Sequence, residues 1–413
     1  MKYKITAPTT LKASVKLPAS KSISNRALIL NALSYSSYEI ENLSDCDDTE
    51  VMVKALNSND RDFDIHAAGT AMRFLTAFLS KIVGEWTITG TERMRNRPIK
   101  ILVDALNALG ARVEYIDKEG YPPLRIFGSA LQGGEISLSG SVSSQYISAL
   151  LMIAPTMEKG LTLHLEGNVI SKPYIRLTLQ LMAQYGVQAT WEGATIRVRP
   201  QSYTPVPFTV ESDWSAASYW YEMAALSRGA EVELSGLFKN SLQGDAAGAA
   251  LFARLGVRTD YRAQGVLLKQ MQHETKKLHY DFVNEPDLAQ TFVVTCAMLG
   301  VPFHFTGLQS LRIKETDRIE ALKTELRKLG YLLTDNGTGV LAWDGARCEP
   351  EAQPVIATYE DHRMAMAFAP VALVRKEGIE IADPQVVSKS YPRFWDDLQA
   401  AGFTIESQTE NEA

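Results

Sequence analysis

Cysteine is scarce. Cys46, Cys296 and Cys348 are the only three in 413 residues, and their wide spacing excludes both a disulfide framework and a thiolate metal site. A reduced cytosolic compartment is the expectation. No apolar run approaches the roughly 20 residues of a membrane-spanning helix, and Met1 to Ser20 has no signal-type apolar stretch. Positive charge is not in excess either. Forty-two Lys and Arg against 48 Asp and Glu leave −6, so bulk electrostatics give no reason to attract nucleic acid. Neither a Gly-x-Gly-x-x-Gly nor a Gly-x-x-x-x-Gly-Lys-Ser/Thr fingerprint follows a strand pattern, and no His, Cys and Asp cluster has metal-ligand spacing. The expectation is a soluble, cytoplasmic monomer with no nucleic-acid or membrane partner and no cofactor. Small anions remain open, because local clusters of cations can exist in an acidic chain.

What the chain does have is a repeat. Five segments pair an amphipathic helix with a closing glycine and a short strand: Ile99–Val113, Tyr174–Ala189, Asp245–Thr259, Thr316–Leu333 and Tyr391–Ile405. Their glycines, Gly110, Gly186, Gly256, Gly330 and Gly402, are 76, 70, 74 and 72 residues apart, and each is placed as a left-handed helix cap. A second helix family interleaves with the first: Ala71–Ile82, Ser144–Met157, Trp214–Arg228, Asp287–Leu299 and His362–Lys376. These are apolar nearly all round, so they should be buried while the first family lies outside. Cys296, Met364 and Met366 then read as core.

The pattern is α/β, strand–helix–strand–helix–strand–strand, with six units of about 69 residues. The first unit is the least regular, with helix Ser22–Leu33, strand Tyr38–Asn42 and helix Asp47–Leu56. The last lacks a strand, which Lys2–Thr6 can supply. Three units per domain is the natural grouping, 14–207 in one domain and 1–13 with 208–413 in the other, divided near Tyr203-Thr204-Pro205-Val206-Pro207.

Polar residues with no structural reason gather at helix starts. In the buried family these are Lys21-Ser22, Gly69-Thr70, Ser143-Ser144-Gln145, Ser212-Asp213, Asp287 and Asp361-His362-Arg363. In the outer family they are Arg93 to Arg97, Ser171 to Tyr174, Gln243-Gly244-Asp245, Lys314 to Arg318 and Lys389 to Arg393. Like positions of a repeat face the same way, and helix N-termini with free N–H groups bind phosphate and carboxylate. Ser212, Asp213 and Asp245 also read as ordinary caps. Arg93, Arg95 and Arg97 precede Pro98, which would suit the first position of a helix. In Arg312 to Ile319, Thr316 or Asp317 is the cap, and Arg318 is a cation set against the helix dipole, which calls for an anion nearby. This inventory of cations, hydroxyls and a few carboxylates suits binding multiply anionic substrates and moving protons between them.

The motifs resemble those of the 5-enolpyruvylshikimate-3-phosphate (EPSP) synthase family over essentially the whole chain. They are Leu17-Pro18-Ala19-Ser20-Lys21-Ser22 with Asn25-Arg26, Ala68-Gly69-Thr70-Ala71-Met72-Arg73, Arg93-Met94 through Arg97-Pro98, Ser143-Ser144-Gln145, Ser171-Lys172-Pro173-Tyr174, Lys314-Glu315-Thr316-Asp317-Arg318, Asp361-His362-Arg363-Met364-Ala365 and Lys389. The resemblance implies an enolpyruvyl transferase fold: two domains, each of three βαβαββ units, closing on substrates in an interdomain cleft. It implies transfer of the enolpyruvyl group of phosphoenolpyruvate to the 5-hydroxyl of shikimate 3-phosphate, through a tetrahedral intermediate and without a cofactor. By the same resemblance, Ser22, Arg26, Ser143, Ser144, Gln145, Ser171, Tyr174, Asp287 and Lys314 would hold shikimate 3-phosphate. Lys21, Gly69, Arg97, Gln145, Arg318, Arg363 with its neighbour His362, and Lys389 would hold phosphoenolpyruvate. Asp287, Glu315 and Lys21 would move protons.

Three positions depart from the family pattern: Ala67 and Ser310 where it has Asn, and Phe74 where it has Pro. They bear on phosphoenolpyruvate affinity and on response to its herbicidal analogue. The rival transferase acting on UDP-N-acetylglucosamine carries a catalytic Cys on the loop equivalent to Gly90–Pro98, and no Cys lies there. A non-catalytic anion-binding descendant would not need to keep both Asp287 and Glu315.

Overall fold

Each outer helix stops at its glycine. Gly110, Gly186, Gly256, Gly330 and Gly402 have φ between 84° and 100°, a left-handed turn that releases the chain without a Cβ clash. The computed structural model describes residues 1–408. Contacts divide the chain into two units, Ala19–Val210 and Met1–Pro18 with the chain from Glu211 onward. None of the helices is long and apolar enough to cross a membrane among the described residues.

The Ala19–Val210 unit contains helices α1 (Lys21–Leu33), α2 (Asp47–Asn57), α3 (Gly69–Lys81), the single turn α4 (Glu92–Arg95), α5 (Lys100–Ala108), α6 (Ser144–Ile153) and α7 (Lys172–Gln184). Helices α1, α3 and α6 pack on one another, and all thirteen residues of α3 except Phe78 and Lys81 are buried. Two four-stranded sheets belong to this unit. One runs Asp62–Asp64, Gly84–Thr89, Leu124–Gly128, Arg112–Tyr115, and the other Gly134–Ser139, Leu161–Glu166, Thr195–Val198, Ala189–Glu192. In each, two parallel strands joined through an inner helix meet an antiparallel hairpin. The irregular first repeat keeps only Ile40–Glu41, paired in parallel with Phe208–Thr209.

The other unit contains α8 (Trp214–Leu226), α9 (Gly248–Ala253), α10 (Ala289–Leu299), α11 (Arg318–Lys328), α12 (His362–Phe368) and α13 (Phe394–Ala400). Its inner helices α8, α10 and α12 pack together around an aromatic core in which Phe252 and Phe292 lie 4.2 Å apart. Cys296, Met364 and Met366 are buried in that core. The N-terminus serves two of its three sheets. Strand Lys2–Thr6 lies antiparallel between Ile379–Ala382 and Thr404–Gln408, while Lys12–Lys16 runs parallel to Glu231–Ser235.

Those pairings move the divisions away from residues 14 and 207. Lys12–Lys16 is a whole strand of the second unit, so the chain leaves that unit after Pro18. Phe208–Thr209 is bound to the first unit, so the return falls after Val210.

Candidate active site

In the Ala19–Val210 unit the unusual polar residues collect at the starts of α1, α3, α6 and α7. Ser20 caps α1 by accepting from the Ile23 N–H, which leaves Lys21 and Ser22 in the first turn. Lys21 Nζ lies 3.6 Å from Asp48 Oδ2. One turn on, Arg26 is almost wholly buried. Its Nε donates to Thr178 Oγ1 at 2.7 Å, Nη2 to Ser148 Oγ at 3.1 Å and Nη1 to the Ser22 carbonyl at 2.9 Å. Burial pulls its guanidinium down to about 10. No carboxylate among the described residues pairs with it. A guanidinium has more N–H donors than these three acceptors use, so the unspent ones suit a phosphate.

Helix α3 starts at Gly69 with no side-chain cap, so its first N–H groups have no partner within the helix. Arg97 reaches that point: a Cβ on Gly69 would lie 2.7 Å from Arg97 Nη1 and 3.0 Å from Arg73 Nη1. Only glycine leaves the room. Thr70 Oγ1 accepts from Gln145 Nε2 at 3.3 Å, and Gln145 follows Ser144 in the first turn of α6 behind its cap Ser143. Ser171, 7% exposed, precedes α7 at φ 52° and accepts no capping bond. A left-handed non-glycine residue costs roughly 1–3 kcal/mol and persists only where its surroundings hold it. Tyr174 follows in the first turn of α7.

The second unit assembles a denser cluster. Arg318 opens α11 and is 1% exposed. Its Nε donates to Asp361 Oδ2 at 2.7 Å, Nη2 to Glu315 Oε2 at 2.8 Å, and Nη1 to Asp287 Oδ1 at 3.2 Å. The cation set against a helix dipole has three carboxylates for company. Asp287 also meets Arg363 Nη2 at 3.0 Å and Lys314 Nζ at 3.6 Å, and Glu315 meets Lys389 Nζ at 3.2 Å. Asp361 caps α12 by accepting from the Arg363 N–H. Buried His362 has its Nδ1 3.8 Å from Asp361 Oδ1, and Tyr219 Oη accepts from Arg363 Nη1 at 3.2 Å. Four cations thus surround three carboxylates.

Electrostatics follow from that crowding. Burial pushes the Asp287 carboxyl up, but Arg363, Lys314 and Arg318 together reverse this and hold it well below the usual carboxylate range. Burial alone would lower Arg318, yet Asp361, Glu315 and Asp287 raise it above its ordinary value. Asp245 behaves oppositely. Burial, then the charge of Asp287, pushes it up to about 7 against a hydrogen bond from Ser215.

Several sequence expectations change in detail. Asp317 alone caps α11, accepting from the Ile319 and Glu320 N–H groups; Thr316 does not cap. Of Arg93, Arg95 and Arg97, only Arg97 reaches Gly69, since Arg95 pairs with Asp117 at 2.6 Å and Arg93 is exposed. Pro98 is not the first helical residue, because α5 begins at Lys100 behind Ile99. Asp213 caps α8, whereas Ser212 offers its carbonyl to Gln243 and Asp245 binds Ser215. Phe74, one of the departures from the family pattern, has its ring under Arg26. The supporting partners Asp48, Ser148, Thr178 and Tyr219 escaped the sequence reading, and Asp245 was read only as a cap. Asp361 stood out among the polar residues at helix starts, but its pairing with the buried cation at the start of α11 did not.

A family model described as EPSP synthase (3-phosphoshikimate 1-carboxyvinyltransferase) matches residues 5–59 and 56–398. A 3-phosphoshikimate 1-carboxyvinyltransferase of Bacteroides fragilis (strain YCH46) is 62% identical over 407 residues, covering 98% of this chain and 99% of its own. One from Vibrio atlanticus is 39% identical over 93% of this chain and 96% of its own. The solved EPSP synthase of Acinetobacter baumannii is similar in fold, with a TM-score of 0.80 at 20% identity over 98% of this chain and 100% of that one.

Proposed function

The chain belongs to the EPSP synthase family, and from that premise we propose how its two sets of residues divide the reaction. The activity is transfer of the enolpyruvyl group of phosphoenolpyruvate to the 5-hydroxyl of shikimate 3-phosphate, with release of phosphate. The family relationship decides against the UDP-N-acetylglucosamine rival.

Arg26 takes the phosphate of shikimate 3-phosphate, with Ser22, Ser143, Ser144, Ser171 and Tyr174 supplying hydroxyl contacts around it. Gln145 contacts both substrates. Lys21, Arg97 and the open start of α3 at Gly69 take phosphoenolpyruvate, and so do Arg318, Arg363, Lys389 and the adjoining His362. Lys314 steers shikimate 3-phosphate towards Asp287.

One observation carries this reading: Asp287 and Glu315 each contact cations that a phosphate or carboxylate would also seek. Surrounded by three cations, Asp287 is a weak base. Anionic substrate groups that engage those cations return basicity to it, so it takes the 5-hydroxyl proton once both substrates are bound. Glu315 gives a proton to the methylene carbon of phosphoenolpyruvate as the new C–O bond forms, then takes one back as the phosphate C–O bond breaks. Lys21 is a second proton donor to the departing phosphate. Clamping both anions gains from proximity, and the cations stabilise charge on the leaving group. A monomer can supply every residue named here, and the cytoplasm is the proposed compartment.

Phosphate release is the test. It should require both shikimate 3-phosphate and phosphoenolpyruvate; no release by correctly folded protein would overturn the reading.

A further inference from the structure

We infer that Phe74 is a positioning residue for Arg26, and that its ring sets the affinity for shikimate 3-phosphate by carrying the guanidinium that receives the phosphate. The inference rests on the role given to Arg26 above.

Phe74 lies on α3, 1% exposed, with its ring centroid 5.2 Å from the Arg26 guanidinium carbon. Thr178, Ser148 and the Ser22 carbonyl hold Arg26 through its N–H groups. The π-face of Phe74 adds a contact that uses no N–H donor. This chain shows two ways to keep a guanidinium buried. Arg318 is surrounded by Asp361, Glu315 and Asp287, which neutralise its charge and compete with any arriving anion. Among the described residues Arg26 has only neutral acceptors and a ring. An aromatic quadrupole attracts a cation without cancelling its charge, so the whole charge stays available to a ligand phosphate. Arg73, the neighbour of Phe74 on α3, also lies over a ring, its guanidinium carbon 5.8 Å from the Tyr146 centroid.

A purely space-filling Phe74 predicts something different, and fluorination separates the two. Mono-, di- and trifluorophenylalanine placed at position 74 weaken the quadrupole in steps at nearly constant shape. The dissociation constant for shikimate 3-phosphate, measured by calorimetry without phosphoenolpyruvate, should rise with each fluorine. Phe74→Leu should weaken binding roughly 3- to 30-fold, the span of a buried cation–π contact, while KM for phosphoenolpyruvate moves less than about twofold on the same scale. Fluorination without effect on binding, or an equal loss for both substrates, overturns the inference. Arg26→Ala separates it from the reading beneath. If that variant binds shikimate 3-phosphate normally, the role of Arg26 itself fails. If it binds weakly while the fluorine series in the parent stays flat, only the role of Phe74 fails.

Discussion

Asp361→Asn changes one buried charge and almost nothing else. Asp361 Oδ2 accepts from Arg318 Nε at 2.7 Å, and Oδ1 accepts from Arg318 Nη2 at 3.3 Å and from the Arg363 N–H at 2.9 Å. An Asn keeps an oxygen for the α12 cap but turns an N–H₂ group towards the Arg318 N–H. Removing one partner of a buried ion pair costs about 3–5 kcal/mol. Arg318 retains Glu315 at 2.8 Å and Asp287 at 3.2 Å, so the lower end, about 3 kcal/mol, is expected. At about 2–4 °C per kcal/mol for a unit of this size, Tm should fall by roughly 6–12 °C. Asp361→Ala should be worse by about 1 kcal/mol, the value of the lost cap. Thermal melts by circular dichroism, with urea midpoints alongside, read both numbers. A fall below about 2 °C for Asn would refute the view that Asp361 is the principal anion of Arg318, and an Ala variant no worse than Asn would refute its role as the α12 cap.

Gly69→Ala should fold, because the added methyl meets the flexible tip of Arg97 instead of backbone. By displacing that cation it should raise KM for phosphoenolpyruvate about 10- to 100-fold, the equivalent of a lost charge-assisted hydrogen bond, with KM for shikimate 3-phosphate unchanged. Asp245 supplies a pH test. Its folded pKa is raised from 3.8 to about 7, so its contribution to stability is full below pH 3.8 and is lost as pH rises towards 7. Relative to the parent, Asp245→Asn should therefore gain up to about 4 kcal/mol between pH 4 and pH 8 in denaturant melts; a pH-independent difference would mean Asp245 is not held neutral.

Local rules made much of the fold legible. The glycines at the ends of the outer helices announce their own φ, and the runs Ile147–Ala154 and Phe292–Ala297, apolar but for Ser148 and Thr295, announce burial. What the sequence could not show was pairing at a distance. Nothing local says that Lys12–Lys16 joins Glu231–Ser235, or that Phe208–Thr209 returns to Ile40–Glu41. The site divides the same way. Cations at helix starts were visible, but their partners lie far along the chain, Arg318 with Asp361 and Arg26 with Thr178. Asp245 looked like a cap because Asp before a helix usually is one; only its burial against Ser215 and the charge of Asp287 distinguish it.

The division of labour between Asp287 and Glu315 is tested most directly by Glu315→Gln. The amide keeps the shape and loses the proton chemistry. Turnover should fall about 10²- to 10⁴-fold, the usual contribution of a general acid–base, while shikimate 3-phosphate still binds within about threefold of the parent. Equal losses of binding and turnover would contradict the account and leave Glu315 only the structural task of holding Arg318 and Lys389.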